Sequence, residues 1–337
     1  MEANILLPLS KMLGKEIVKT KHTMIQLHGG TVGNVHLFEG VAETAEDGQL
    51  PFKIVWKESG KWERYGDHES WHREYDLYIS ELNSVFYDTL RWPKCYHAEY
   101  SDDKIHLWME YIEGVSANGL TCEMLIKASL ELGRLQGRLY SQKPAVLKAL
   151  TNLSIVDAMK NYYHHYRSWN VVYDYVRSYK SELPKHLCQM IIDSDEKSDQ
   201  THAGIEKLPV VFCHRDFWVT NIFYTDNGIR LIDWDTTGWG YLGEDMVSLI
   251  ADEADVDHMI EYYHKCIPAY LSGFSEYADI SHIKNHYISE RLLLHFGYRL
   301  VEWFLNAETP EEKEYHKQTL QKIFEIVNSV APRADTQ

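Results

Sequence analysis

The stretch His214-Arg215-Asp216-Phe217-Trp218-Val219-Thr220-Asn221, followed a dozen residues later by Ile232-Asp233-Trp234-Asp235, constrains this chain more than any other. Each cluster follows a short apolar run, Val210-Val211-Phe212-Cys213 before the first and Ile229-Arg230-Leu231-Ile232 before the second. Asn227-Gly228 ahead of the second run reads as a tight turn. The local expectation is strand, loop, strand, turn, strand. That drawing brings Asp216, Asn221 and Asp233 to one end of a small sheet. Three oxygen-bearing side chains gathered this way suit phosphoryl transfer, where positioning and charge neutralisation dominate. Asp216 can orient a hydroxyl, while Asn221 and Asp233 offer the hard oxygen ligands that Mg2+ prefers.

Composition narrows the partners. The chain has 337 residues, 45% hydrophobic and 25% charged, enough for one large domain or two lobes. Its formal charge of −16 argues against nucleic acid, because phosphate backbones need a basic surface. An acidic balance favours cationic or neutral substrates, and it equally describes a solubilising surface. The five cysteines are scattered, without Cys-x-x-Cys spacing, and read as reduced thiols of a cytoplasmic protein. The first residues lack the basic region and apolar run of a signal peptide. No stretch is apolar for the length of a membrane span, so no membrane partner is expected. The histidines show no metal-ligand spacing.

His-x-Asp-x-x-x-x-Asn followed by Ile-Asp-Trp-Asp resembles the catalytic and metal-binding segments of the aminoglycoside phosphotransferase and choline kinase superfamily, a branch of the protein-kinase-like fold. The resemblance implies an α+β, bilobal architecture. A small N-lobe, residues 1–113, would carry an antiparallel sheet with one helix and bind nucleotide. A larger, mostly helical C-lobe, residues 114–337, would hold the catalytic loop, the metal site and the acceptor-binding helices. The implied cofactors are ATP, with GTP as the alternative, and Mg2+ on Asn221 and Asp233. Asp216 would be the catalytic residue. The implied partner is a small-molecule acceptor, with amines such as aminoglycosides, choline or ethanolamine matching the acidic balance. A catalytically inactive, kinase-fold nucleotide-binding or scaffold protein is the alternative.

Other segments fit this frame. Met24 to Leu27, His28 to Asn34 and Val35 to Phe38 read as strand, glycine-rich loop, strand. Gly29, Gly30 and Thr31 would let backbone N–H groups approach phosphate, although a plain hairpin looks the same. Phe52 to Lys57 alternates with period two and reads as a strand. Lys57 resembles the strand lysine that contacts nucleotide phosphates, with Lys53 as rival. Asp67 to Leu82 reads as an amphipathic helix. On it Glu74 resembles the glutamate that pairs with that lysine, with Glu69 as rival. Lys94 to Tyr100 and Ile105 to Ile112 read as paired strands across Ser101-Asp102-Asp103, ending at the nucleotide hinge. The resemblance makes the backbone of Glu110 and Ile112 contacts for the base and sets Met109 deep in that pocket, where core filling explains it equally.

Beyond Gly114 the pattern turns helical. Thr121 to Tyr140 carries a leucine stripe, with Gly133 and Gly137 inside it as marks of close packing. Residues 155–192 read as one or two aromatic-rich helices, Ser194 to Glu206 as a loop, and 256–330 as three or so helices broken at Pro268 and Pro310. Asp245 reads as a helix-opening cap. Arg215 stands where the phosphotransferase pattern usually has glycine, and a local salt bridge is its expected role. Asp235 is left between a supporting carboxylate, an extra metal ligand and a contact for a cationic acceptor. The short span from Asp233 to Asp245 leaves no room for the long activation segment of protein kinases.

Overall fold

The structure is a computed structural model that describes residues 4–27, 33–46, 48–62, 64, 67, 69–86, 89–165, 169–252, 255–283 and 286–330. In chain order the elements begin with α1 (Leu6–Leu13), β1 (Ile17–Gln26), β2 (Gly33–Thr44), β3 (Gln49–Gly60), α2 (Arg73–Ile79), β4 (Leu90–Arg91), β5 (Cys95–Ser101) and β6 (Lys104–Glu110). Helices α3 (Cys122–Gln142), α4 (Ala145–Ala149), α5 (Ala158–His165), α6 (Trp169–Arg177), α7 (Lys185–Glu196) and α8 (Ser198–Ile205) follow. Then come β7 (Val210–Cys213), β8 (Ile222–Thr225), β9 (Gly228–Leu231) and β10 (Gly238–Tyr241). Helices α9 (Glu244–Ala251), α10 (Met259–Ser275), α11 (His286–Asn306) and α12 (Pro310–Val330) complete the chain. Two compact units result. The first comprises Met1–Ala117, Pro144–Ser154 and Asn221–Thr236, and the second Asn118–Lys143, Ile155–Thr220 and Thr237–Gln337.

In the first unit a five-stranded antiparallel sheet runs in the order β1-β2-β3-β6-β5. The period-two pattern of β3 puts Phe52, Ile54 and Trp56 on one face, where they pack with Leu9 of α1, Phe38 and Trp108. Val55 points to the opposite face, against Trp71, Leu107 and Met109. That second face is the one α2 approaches, with Tyr75 and Tyr78 packed on it. Lys57 shares the parity of Val55 and therefore faces α2. Asp102 and Asp103 both take left-handed backbone at the turn between β5 and β6.

The same unit contains a three-stranded sheet, β4-β9-β8, in which β8 and β9 form a hairpin with Thr225 opposite Gly228. The expected single small sheet is therefore corrected. Strand β7 pairs with β10, a segment the sequence reading left unassigned, and not with β8. A 3-10 turn over Val219–Asn221 interrupts the chain between β7 and β8.

Other boundaries also move. The helix expected over Asp67 to Leu82 is a 3-10 turn at Ser70–His72, then α2, then a 3-10 stretch at Glu81–Val85. Ser80 ends α2 because it is extended, and its hydroxyl accepts from the Leu82 N–H at 3.1 Å. The polar segment read as a loop is helical through the end of α7 and α8. Pro268 lies inside α10 and does not end it, whereas Pro310 opens α12, where its missing N–H is no loss. Among the described residues, no helix is long and apolar enough to cross a membrane.

The second unit is organised by the packing of α3 on α10. A Cβ on Gly137 would sit 2.7 Å from the Phe274 carbonyl oxygen, and one on Gly133 or Gly273 would overlap the carbonyl of Tyr270 or Leu130. The two backbones approach so closely that no side chain fits between them. In α8, by contrast, a Cβ on Gly204 meets nothing within 4 Å. Gly133→Ala is therefore expected to destabilise by about 1–3 kcal/mol through overpacking, although helix propensity alone would favour it by about 1 kcal/mol. Gly204→Ala should stabilise by about 0.4–1 kcal/mol. Urea unfolding of both variants gives opposite signs if this packing is right.

Candidate active site

Lys57 is the centre of the polar cluster in the first unit. Its Nζ donates to Glu74 Oε2 at 2.6 Å and to Asp233 Oδ1 at 2.7 Å. Glu74 is 2% exposed and uses its other oxygen to accept from the Trp234 N–H at 3.2 Å. One buried carboxylate thus holds both the strand lysine and the backbone next to Asp233. Burial alone would pull the Lys57 ammonium down, but the carboxylates of Asp233, Glu74 and Asp235 outweigh it and hold the pKa above the ordinary lysine value.

The rivals are accounted for. Lys53 is 45% exposed and pairs with Glu113 at 2.6 Å, and Glu69 pairs with His72 at 2.6 Å.

Asp233 follows β9 and takes left-handed backbone, φ 64°, which an aspartate tolerates better than most residues. Trp234 anchors this turn. Its indole is 1% exposed, donates to the Leu231 carbonyl at 2.7 Å and packs edge-on against Phe86 and Trp92. The Ile232 N–H donates to the Asn221 carbonyl at 3.1 Å, so the mouth of the β8–β9 hairpin has Asn221 just before β8 and Asp233 just after β9.

Asp235 is tied in from two sides. Its carbonyl accepts from Arg73 Nη1 at 2.6 Å, and Arg73, fully buried, also grips the Asp67 carboxylate. Its carboxylate lies 3.5 Å from Arg64 Nη2, whose guanidinium stacks on Trp62. Burial, then the charge of Asp233, pushes the Asp235 carboxyl up to about 6. Arg73, Asp67 and Arg64 were not singled out from sequence. Arg73 stands beside Glu74, but nothing in the spacing distinguishes a buried anchor from a surface arginine.

These residues fit a divalent cation. Glu74, Asp233 and Asp235 outnumber the cations Lys57 and Arg64 that pair with them. Asp233 and Asn221 bear the carboxylate and amide oxygens a hard cation takes. Among the described residues, no group of three or more His, Cys, Asp or Glu is placed to hold a metal by itself. A cation here would thus need oxygens from a phosphate or water as well.

Asp216 lies in the second unit, on the loop after β7. Its N–H donates to His214 Nδ1 at 3.2 Å, and the Trp218 N–H donates to its carbonyl at 3.1 Å. His214 is buried and supports the loop through its bond to the Asp216 N–H. Asp245 is not the expected cap of α9: Gly243 stands at the N-cap and no side chain caps the helix, because the Asp245 carboxylate is engaged elsewhere. Its carboxylate accepts from the N–H of Arg215 at 2.6 Å and of His214 at 3.1 Å, and from Gln136 Nε2 at 2.6 Å. Gln136 Oε1 accepts from the Tyr270 hydroxyl at 2.5 Å, which accepts from the Gly243 N–H at 3.1 Å. Burial pushes the Asp245 carboxyl up to about 6 against the pull of the Arg215 and His214 N–H groups.

Arg215 has a left-handed backbone, φ 68°, a conformation that costs a residue other than glycine of order 1–3 kcal/mol. Its side chain makes the expected salt bridge, Nε to Glu244 at 2.8 Å, and also donates to the carbonyls of Ile155 and Trp239.

The remaining positions divide. Gly29, Gly30 and Thr31 lie outside the described residues. Met109 is buried in the α2-facing core. The Glu110 N–H already donates to the Lys94 carbonyl at 2.8 Å, and its carboxylate takes both Nη atoms of Arg91. Glu110 is thus a strand-end anchor, and Ile112 lies just past the end of β6.

Asp245→Ala is expected to cost about 3–5 kcal/mol, because it strips partners from a buried network, and urea unfolding measures this. The pH sign is also fixed. With its folded pKa raised to about 6 from 3.8, Asp245 favours folding most fully below pH 3.8, and that contribution is lost as pH rises through 6. Stability of the wild type relative to Asp245→Asn should therefore fall between pH 4 and pH 6.

No curated protein matches the sequence. Solved structures do match in fold. A choline kinase from Cryptosporidium parvum aligns over 91% of this chain and 89% of its own, at 16% identity and a TM-score of 0.58. A Plasmodium vivax ethanolamine kinase aligns over 96% and 88%, at 15% identity and a TM-score of 0.53. A spectinomycin phosphotransferase in complex with ADP and spectinomycin aligns over 98% of both chains, at 15% identity and a TM-score of 0.51. The protein-kinase-like fold expected from the two motifs is thus the fold observed. The model of the phosphotransferase enzyme family matches residues 86–278, more than half of the chain and the span holding both motifs, so the chain belongs to that family.

Proposed function

We propose that this phosphotransferase is an ATP-dependent small-molecule kinase that transfers the γ-phosphate to a hydroxyl of an amine-bearing acceptor. The observation that carries the reading is Lys57, held between the buried Glu74 and Asp233. A charged lysine fixed beside a carboxylate that can ligate metal is what a polyphosphate needs.

Each residue then has a role. Lys57 offers its ammonium to phosphate oxygens, and Glu74 keeps it from swinging away. Asn221 and Asp233 are the metal ligands. Bound Mg2+ supplies charge neutralisation at the phosphate oxygens. Asp216 accepts the hydrogen bond of the acceptor hydroxyl and takes its proton as the phosphoryl group is transferred. The network through Asp245 and Gln136 keeps the loop bearing Asp216 in place. The segment around Gly29, Gly30 and Thr31 is proposed to cover the phosphates, and the backbone at Ile112 to meet the base. ADP in the spectinomycin phosphotransferase complex supports a nucleotide here. A net charge of −16, together with choline and ethanolamine kinases among the structural relatives, supports a cationic acceptor.

The test is phosphate transfer from labelled ATP, with Mg2+, to a panel of amino-alcohols, aminoglycosides and neutral sugars. Transfer to at least one amine-bearing acceptor is expected. Asp216→Asn should lower kcat by roughly 10²–10⁴-fold while nucleotide affinity, read by a fluorescent ADP analogue, stays within a few-fold. Nucleotide binding with no transfer to any acceptor would instead support a non-catalytic nucleotide-binding protein.

A further inference from the structure

Strand β6 ends at Glu110, and Tyr111 to Gly114 belong to no strand before Val115 pairs with Tyr224 of β8. Both ends of this short segment are fastened inside the first unit. At the far end the Val115 N–H donates to the Tyr224 carbonyl at 2.9 Å, and the Tyr224 N–H donates to the Val115 carbonyl at 2.8 Å. Gly114 permits that approach, because a Cβ there would lie 2.8 Å from the Tyr224 carbonyl oxygen. At the near end the Glu110 side chain makes the attachment. Its Oε2 accepts from Arg91 Nη1 at 2.8 Å and from the Lys94 N–H at 2.9 Å, and its Oε1 accepts from Arg91 Nη2 at 3.0 Å.

Arg91 is itself held in place. It lies on β4, which runs parallel to β9 and sets Arg91 opposite Arg230. The Ile229 N–H donates to the Thr89 carbonyl at 2.8 Å beside this pair. Burial pushes the Glu110 carboxyl up, but the bonds from Arg91 and Lys94 and the charge of Arg230 outweigh it and hold the carboxyl below its ordinary range. The β8–β9 hairpin therefore takes both ends of the segment, Val115 directly at β8 and Glu110 through Arg91 beside β9. The same hairpin has Asn221 and Asp233 at its mouth.

We infer that Arg91 and Glu110 are positioning residues for recognition of the nucleotide base, fixing where the Ile112 backbone stands relative to Asn221 and Asp233. This rests on the proposed phosphotransfer reading, in which the Ile112 backbone meets the base and Asn221 and Asp233 hold the metal on the phosphates. The two residues act through the segment and not by contact with the nucleotide. Among the described residues none bonds to the Ile112 backbone, so its N–H and carbonyl are open to a ligand. A hydrogen bond weakens steeply once its angle is lost. The fork between Arg91 and Glu110 is bidentate, so it sets orientation as well as distance. The exposed single contact between Lys53 and Glu113, on the same segment, sets neither firmly.

The experiment is displacement of a fluorescent ADP analogue from the full chain, with Mg2+, by ADP and by inorganic pyrophosphate, which has no base. Arg91→Met should weaken ADP roughly tenfold, the value of about one hydrogen bond, and pyrophosphate by less than about twofold. Arg91→Lys, which keeps the charge but not the fork, should fall between Arg91→Met and the wild type. Glu110→Gln should weaken ADP selectively as well, and Lys53→Met should leave both affinities unchanged. Undiminished ADP affinity in Arg91→Met and Glu110→Gln, or an equal loss for ADP and pyrophosphate, overturns the positioning role and leaves the phosphotransfer reading standing. A wild type that binds neither the analogue nor ADP overturns both. Should Arg91→Met lose cooperative unfolding, Arg91→Lys and Glu110→Gln decide the matter.

Discussion

The arrangement in the first unit depends on one electrostatic constraint, a lysine ammonium that must stay charged in a place where it is only 15% exposed. Desolvation opposes that charge, so Lys57 needs carboxylates, and it has two within hydrogen-bond reach. Those carboxylates then need their own reasons to stay. Glu74 is retained because it also takes the Trp234 N–H, and Asp233 because the buried Trp234 and the β8–β9 hairpin fix the turn that carries it. Every group answers two demands at once, and a lone substitution therefore disturbs more than a single pair.

In the second unit the corresponding constraint is backbone strain. Arg215 sits in a left-handed conformation that its side chain does not favour, and it stays there because its N–H, its guanidinium and the neighbouring His214 N–H are all committed. Asp245 is the common acceptor for both N–H groups. Gln136 and Tyr270 extend the network to α3 and α10, the two helices whose glycines allow backbone-to-backbone approach. Helix packing and loop geometry are thereby connected through a short chain of buried hydrogen bonds. Such a network rigidifies a loop only while every member is satisfied.

What the chain carries in its linear order is the chemistry of the motifs and the parity of the strands. The spacing of Asp216, Asn221 and Asp233, the strand phase that turns Lys57 away from Ile54, and the choice of Glu74 over Glu69 were all legible, because each follows from a local periodicity or a known pattern of side chains. The close packing implied by Gly133 and Gly137 was legible for the same reason, since a glycine inside a helix has a local cost that needs an explanation.

Tertiary structure alone decided which strand β7 pairs with, where α2 begins and ends, and which charged residues are buried. A four-residue strand such as β10 has too little sequence to announce itself, and its partner is set by what surrounds it. Arg73, Gln136 and Arg291 look like ordinary surface residues in the linear sequence. Their burial depends on contacts to Asn152, Phe212 and Tyr241, which are dozens of residues away in the chain. Local pattern therefore determined which groups could do chemistry. Long-range packing determined which of them are held in place, because desolvation belongs to the folded environment and to no single stretch of residues.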